Sequence, residues 1–267
     1  MIEFDGEQAR VEHTQPGGGK ADHPWWPPLG EGLRPRQPVV VIAGGFGSGK
    51  SELALNLCMG LQAGGERVRL VDLDIVKPFF RSRQARGFLA AAGIGLVAPE
   101  GELFHSDLPI VLPEIRSLLR QPDGVVVIDV GGDTAGSRVL SSLGDAFVSG
   151  GYELLVVLNT SRPFTRDVRG LVEMVRGIAA AGGLVPTGLV ANTHLLGETR
   201  LELVLEGLGA VRETGALLGI PVRMLACSEK LARRLQPQAV GCPVLELRRV
   251  LREERLGGEW PLADGED

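Results

Sequence analysis

The chain has 267 residues, a net charge of −5 at pH 7, and 44% hydrophobic and 23% charged residues. This composition is typical of a globular protein, and no global basic field indicates nucleic-acid binding. No apolar run approaches the ~20 residues of a membrane span, and acidic residues interrupt any N-terminal signal-peptide pattern. The three cysteines are isolated in the sequence, which argues against a disulfide framework and favours a reduced, cytoplasmic location.

Composition divides the chain into three parts. Residues 1–37 are predicted to form a flexible leader, because most of this segment, from residue 13 onwards, is rich in glycine and proline. Trp25 and Trp26 lie in this leader and would contact either the domain or a partner. Residues 38–256 are predicted to form one nucleotide-binding domain, and residues 257–267 an acidic tail.

The first predicted element is a buried strand over residues 39–43, which leads into a glycine-rich loop. Residues 44–51 fit the phosphate-binding pattern G-x-x-x-x-G-K-[ST], and the apolar residues that follow recur at helical spacing. Glycines allow main-chain N–H groups to converge on a phosphate at a helix N-terminus. Lys50 would reach the β- and γ-phosphates, and the Ser51 hydroxyl would bind Mg²⁺. Nucleotide contacts are therefore predicted at Gly45, Phe46, Gly47, Ser48, Gly49, Lys50, Ser51 and Glu52.

A second strand is predicted over residues 67–71, and it ends in Asp72 and Asp74. Residues two apart on a strand share a face, and ligands of open α/β sheets bind at the carboxyl ends of the strands. The two carboxylates are therefore expected to face the phosphate site. A helix over 84–92, a strand over 94–98, a lid-like or substrate-binding loop over 99–113 and a helix over 113–119 follow.

The third apolar strand, residues 125–129, ends in Asp129 and is followed by two glycines. Four apolar residues and a terminal aspartate are typical of a Walker B strand, whose carboxylate holds Mg²⁺. Gly131 or Gly132 would offer an N–H to the γ-phosphate, because neither has a side chain to obstruct close approach.

Strands and helices continue to alternate to the end of the domain. Strands are predicted over 153–159, 187–192 and 220–225, and helices over 165–181, 199–218 with a break near Gly209, 228–235 and 244–256. Thr165 and Thr199 are the predicted capping residues. This alternation predicts a doubly wound, mainly parallel α/β sheet of the P-loop NTPase type, with helices on both faces.

The combination of residues 44–51, 71–74 and 128–132 resembles the CobQ/CobB/MinD/ParA nucleotide-binding group. More narrowly, residues 71–83, 129–133 and 190–199 resemble a bacterial subgroup of it. That group shares a branch with the signal-recognition GTPases and dethiobiotin synthetase. The resemblance implies Mg-ATP binding and often a homodimer. It further implies that Lys50 and Asp74 are catalytic, with Asp74 orienting the attacking water. Ser51, Asp72 and Asp129 would support the metal, and Asn192 would bind the base.

The chain departs from the pattern of the group at two positions. MinD and ParA proteins carry a second lysine where this chain has Gly45. Lys77 or Arg81 would either supply that charge or form a salt bridge. A GTPase would be expected to show the pattern Asn-Lys-x-Asp. Three residues after Asn192 this chain has Leu195 in place of the guanine-reading aspartate, which favours ATP.

Three functions agree with these residues. The first is a slow ATPase that acts as a nucleotide-driven switch on a partner. The second is a small-molecule kinase or ATP-dependent ligase, in which Arg81, Arg83 and the 99–113 loop bind the substrate. The third is a nucleotide-binding module without hydrolysis.

Overall fold

The computed structural model describes residues 26–73, 83–98, 113–132, 134–236 and 240–250. Within these residues, eight strands form one sheet in the order β3-β2-β4-β1-β5-β6-β7-β8, and every pairing is parallel. The strands are β1 (Val39–Gly44), β2 (Val68–Leu73), β3 (Gly95–Val97), β4 (Val125–Val130), β5 (Glu153–Leu158), β6 (Gly188–Ala191), β7 (Val222–Ser228) and β8 (Val244–Leu247).

Helices connect the strands. They are α1 (Lys50–Ala63), α2 (Arg83–Ala91), α3 (113–120), α4 (Thr134–Ser142), α5 (Gly144–Gly150), α6 (Val168–Gly182), α7 (Leu201–Leu218) and α8 (Glu229–Ala232). Short 3-10 turns lie at Glu31–Leu33, Pro163–Thr165 and Leu196–Glu198. The predicted doubly wound α/β architecture is confirmed.

Two apolar layers cover the sheet, one on each face. Val40 and Ile42 of β1 pack in the layer that contains the apolar residues of α1. Val39 and Val41 face the other layer, which is built with α4, α6 and α7. Because strands buried on both faces must be apolar throughout, this arrangement explains their continuous hydrophobic runs.

The C-terminal part of the domain differs from the prediction. Residues 244–256 were expected to form a helix, but Val244–Leu247 form the edge strand β8, with Leu225 of β7 paired to Val244. Leu245 is buried and Glu246 is exposed, which is the alternation of a strand with one covered face. Four residues are too few to distinguish this period from a helical one in the sequence.

Two helix boundaries also need correction. Helix α6 is capped by Asp167, whose side chain accepts a hydrogen bond from Gly170 N, and not by Thr165. The Thr165 hydroxyl donates to Asn159 O at 2.6 Å instead. Helix α7 runs through Gly209 without a break, and the Thr199 hydroxyl bonds within the preceding turn rather than capping the helix.

The described end of the predicted leader packs on α1. Trp26 and Leu29 are buried in the layer that contains α1, and Leu29 N donates to Gly60 O at 3.2 Å. The Arg248 guanidinium lies 5.4 Å from the centre of the Trp26 ring. Residues 26–37 therefore contact the domain, whereas residues 1–25, including Trp25, and the tail 257–267 lie outside the described residues.

Two further observations concern the described chain. In the ranges that the structure describes, no helix is long and apolar enough to cross a membrane. Cys58, Cys227 and Cys242 are all free thiols, as their isolation in the sequence predicts.

Candidate functional site

The glycine-rich loop lies between the carboxyl end of β1 and the first turn of α1, where the motif predicts it. Gly47 and Gly49 have φ angles of +71° and +90°, a region that residues with a Cβ atom rarely adopt. Ser48 N donates to Gly45 O at 3.2 Å and closes the turn. The sequence therefore places glycine where the loop conformation requires it.

Lys50 lies close to this loop. Its side chain is buried, with the residue 6% exposed, and its Nζ donates to Gly45 O at 3.2 Å. A Cβ atom at Gly132 would lie 3.0 Å from this Nζ and 2.9 Å from Phe46 N. The structure thus brings together the loop, its lysine and the glycine after the Walker B strand, as the sequence predicts.

Two carboxylates meet on the α1 face of the sheet. Asp72 and Asp129 are register partners on β2 and β4, and they are 0% and 1% exposed. Leu70 and Val127, two residues earlier on the same strands and therefore on the same face, pack in the α1 layer. Burial, and then the nearby charge of Asp129, raise the pKa of the Cys58 thiol on α1.

These residues fit a magnesium ion by their chemistry. Ser51, half-buried in the first turn of α1, offers a hydroxyl oxygen, and Asp72 and Asp129 offer carboxylate oxygens, the ligands that Mg²⁺ prefers. The described residues hold no cluster of three His, Cys, Asp or Glu side chains. Mg²⁺ is usually bound by one or two carboxylates together with phosphate oxygens and several waters.

Two side chains from other parts of the chain donate hydrogen bonds to main-chain carbonyl oxygens of the loop. Asn192, which follows β6, donates through Nδ2 to Ser48 O at 2.8 Å. Arg162, in the segment after β5, donates through Nε to Gly47 O at 2.8 Å. These bonds hold the Gly47 and Ser48 carbonyl groups in place, and a loop of this kind binds an anion through its main-chain N–H groups. Asn192 is predicted from the resemblance as a base contact, whereas Arg162 is not among the site residues predicted from the sequence.

Asn159 and His194 form a second layer behind these contacts. Asn159 Oδ1 accepts from Ser161 N at 2.9 Å and from His194 N at 3.2 Å. His194 Nδ1 lies 2.9 Å from Asn192 O. Burial lowers the pKa of His194, the hydrogen bond to Asn192 opposes this shift, and the charges of Arg162 and Arg249 add to it. Neither residue is among the site residues predicted from the sequence, although a polar residue directly after a buried strand is the signal that could have found Asn159.

The predicted contact at Glu52 takes a different form. The Glu52 carboxylate accepts a hydrogen bond from Val250 N at 2.5 Å, so its side chain is engaged by the C-terminal segment. A nucleotide contact at this position would come from its main-chain N–H, which lies in the first turn of α1. Asp74, Lys77, Arg81 and residues 99–112 lie outside the described residues.

Comparison with solved structures identifies proteins of similar fold. The chain is 19% identical to chloroplast FtsY from Physcomitrella patens, with a TM-score of 0.53 over 78% of this chain and 64% of that one. It is 20% identical to the signal recognition particle 54 kDa protein from Aeropyrum pernix K1 in complex with GDP, with a TM-score of 0.52 over 78% and 48%. It is 18% identical to FtsY from Thermotoga maritima, with a TM-score of 0.52 over 78% of this chain and 69% of that one.

The fold is therefore that of the P-loop NTPases, and its structural neighbours come from the branch that the sequence resemblance named. The chain spans less than two thirds of the length of the first two neighbours. No protein-family model and no curated protein sequence matches it. Membership of the narrower CobQ/CobB/MinD/ParA group stays a prediction.

Proposed function

We propose that this protein binds a nucleoside triphosphate with Mg²⁺, preferring ATP, and hydrolyses it slowly as a conformational switch. The observation that carries the proposal is the loop between β1 and α1, with its left-handed glycines and the buried Lys50 ammonium beside Gly45 and Gly132. The main-chain N–H groups of such a loop, a helix N-terminus and a cation together favour a polyphosphate over other ligands.

Mg²⁺ would be held by Ser51 together with Asp72 and Asp129. Two buried carboxylates on neighbouring strands repel each other, and a divalent cation between them and the phosphates would relieve that repulsion. When bound, the ion neutralises charge that develops on the phosphate oxygens.

The preference for ATP rests on the base-reading position. Leu195 stands three residues after Asn192, where guanine recognition would use an aspartate, and a leucine accepts no hydrogen bond from a guanine edge. The Aeropyrum neighbour carries GDP. Competition between ATP and GTP is therefore the direct test of this part of the proposal.

Coupling to a switch would begin at Gly132. Its main chain touches the loop at Phe46, and helix α4 begins two residues later at Thr134. A γ-phosphate bonded to the Gly132 N–H would therefore change the position of the chain that leads into α4. Loss of that phosphate on hydrolysis would release it.

The experiment combines binding and turnover measurements on three variants. Lys50→Ala is expected to abolish tight binding of a fluorescent ATP analogue, because the loop loses its cation. Lys230→Ala, an exposed lysine on α8, is the matched control and should bind normally. Asp74→Ala should keep binding and lose phosphate release, since its predicted role is to orient water.

Two results would contradict the proposal. If the unsubstituted protein binds neither ATP nor GTP in the presence of Mg²⁺, the loop is not a nucleotide-binding site. If Asp74→Ala releases phosphate at the normal rate, the assignment of Asp74 is wrong while nucleotide binding stands.

A further inference from the structure

A cavity of about 320 Å³ lies beside the phosphate-binding loop, on the side of the sheet that α4 and α6 cover. Its volume falls in the range of roughly 300–1,000 Å³ that is typical of small-molecule sites. Gly45 and Gly132 form the wall towards the loop, and Glu173, Met174 and Gly177 of α6 form the opposite wall.

The cavity adjoins the position that the proposed function gives to the terminal phosphate. Lys50 Nζ bonds Gly45 O at 3.2 Å and lies 3.0 Å from the ideal Cβ position of Gly132. Both of these glycines line the cavity. A molecule in the cavity would therefore be separated from the Lys50 ammonium by no more than the main chain of two glycines.

The walls favour an apolar ligand. The methyl group of Met174 lies 2.4 Å from the ideal Cβ position of Gly45, so the flexible thioether packs directly against the loop. Phe164, at the rim, is 88% exposed. An aromatic side chain this exposed gains contact area when a ligand ring covers it.

The charge of the side chains that line the cavity indicates which ligands it favours. Among the described lining residues, Glu173 is the only ionisable side chain. The Glu173 side chain is 65% exposed and pairs at 2.9 Å with Arg169, which is 87% exposed and one turn away on the helix. Such exposed pairs contribute only about 0–1 kcal/mol, so an amino group in the cavity can compete with Arg169 for the carboxylate. A carboxylate as the single charge among these lining residues disfavours anionic ligands and favours a positively charged amino group.

We propose that this cavity binds a small, mainly apolar molecule with one amino group, held by Glu173 beside the terminal phosphate. Its place beside the phosphate rests on the proposed function, whereas binding itself can be measured without nucleotide. The ligand would reach the cavity from the side of α6 and meet the loop at Gly45 and Gly132.

Gly177 allows the cavity to be filled without disturbing the fold. A Cβ atom there would meet nothing within 4 Å, and replacing a helical glycine increases helix propensity. Gly177→Leu therefore occupies the cavity, and nucleotide binding should stay unchanged. Gly209→Leu is the matched control, because Gly209 is also an exposed helical glycine with open space around it.

The probes are 2-phenylethylamine, 2-phenylethanol and phenylacetate, which share a ring and differ in charge. Ligand-observed NMR titrations of the full chain without nucleotide should show the amine binding best and phenylacetate worst. Gly177→Leu should weaken amine binding at least about tenfold, and Gly209→Leu should leave it unchanged. Glu173→Gln should weaken the amine about threefold and leave the alcohol unaffected.

Three results would overturn the inference: no binding of any probe at tens of millimolar, phenylacetate binding as tightly as the amine, or an unchanged affinity in Gly177→Leu. ATP binding is measured on the same samples. ATP binding without amine binding rejects the cavity and keeps the proposed function. Amine binding in the expected pattern without binding of ATP or GTP rejects the proposed function.

Discussion

Asn192 has two possible roles, and the structure makes them separable. The sequence resemblance assigns its amide to the nucleotide base. In the structure the residue is 2% exposed and its Nδ2 donates to Ser48 O at 2.8 Å. If the main role of Asn192 is this hydrogen bond to Ser48 O, Asn192→Ala weakens phosphate binding by changing the conformation of the loop.

The magnitude follows from the burial of this contact. Removing one partner of a buried hydrogen bond costs about 1–3 kcal/mol, because the other group loses its compensation for desolvation. The packing adds to this cost, since Nδ2 lies 2.4 Å from the ideal Cβ position of Gly49. If about 1.4 kcal/mol of this cost falls on the loop conformation that binds phosphate, affinity falls about tenfold.

The assay compares a ligand that has a base with one that has none. Isothermal titration with ATP and with inorganic tripolyphosphate, both with Mg²⁺, should show the same loss of affinity in Asn192→Ala. A base contact predicts a different result, in which ATP binding weakens and tripolyphosphate binding does not. That second result would refute the role of Asn192 as a support for the loop.

Asn56 provides the matched control. It is equally buried, and its side chain bonds both Arg248 O at 3.0 Å and Arg248 N at 2.8 Å. Asn56→Ala should lower the free energy of unfolding without changing the affinity for ATP or for tripolyphosphate. A loss of tripolyphosphate binding in this control would mean that general destabilisation explains both variants.

Two further predictions use the same site. Gly132→Ala should lower nucleotide affinity at least about tenfold, because its Cβ would lie 2.9 Å from Phe46 N and the loop would have to move. Gly144→Ala, where a Cβ meets nothing, should have no effect on a titration with ATP. The lowered pKa of His194 means that the unfolded chain binds its proton more readily. Stability should therefore fall as the pH drops below about 6.5 towards the folded-state pKa. Urea unfolding should show a smaller fall in His194→Gln, and an equal fall would remove His194 as its cause.

The centre of the sheet and the first part of the site could be predicted from the sequence. The G-x-x-x-x-G-K-[ST] spacing fixes a strand before the loop and a helix after it. Asp72 and Asp129 each end an apolar run, so parallel pairing brings them to one edge. Both predictions rest on patterns within a short stretch of sequence, and these patterns determine the local structure directly.

The rest depends on contacts between distant parts of the chain. Arg162 and Gly47 are 115 residues apart, and nothing in the local sequence of either indicates the other. The start of α6 was missed because Thr165 and Asp167 are both capping residue types, and only tertiary structure decides which is used. Strand β8 was missed because edge pairing with β7, and not its own pattern, determines its conformation.

The described contacts also indicate which side of the site is free to respond to a nucleotide. Helix α1 is held at its first turn by the bond from Val250 N to Glu52 and near its end by the bond from Leu29 N to Gly60 O. Both ends of the domain are thus attached to the helix that follows the phosphate-binding loop. On the opposite face, Gly132 and Ser137 of α4 line a cavity, while Val139 and Leu140 further along α4 pack in the apolar layer. A change in the γ-phosphate position would therefore be transmitted through Gly132 towards α4 and α6, while α1 stays in place.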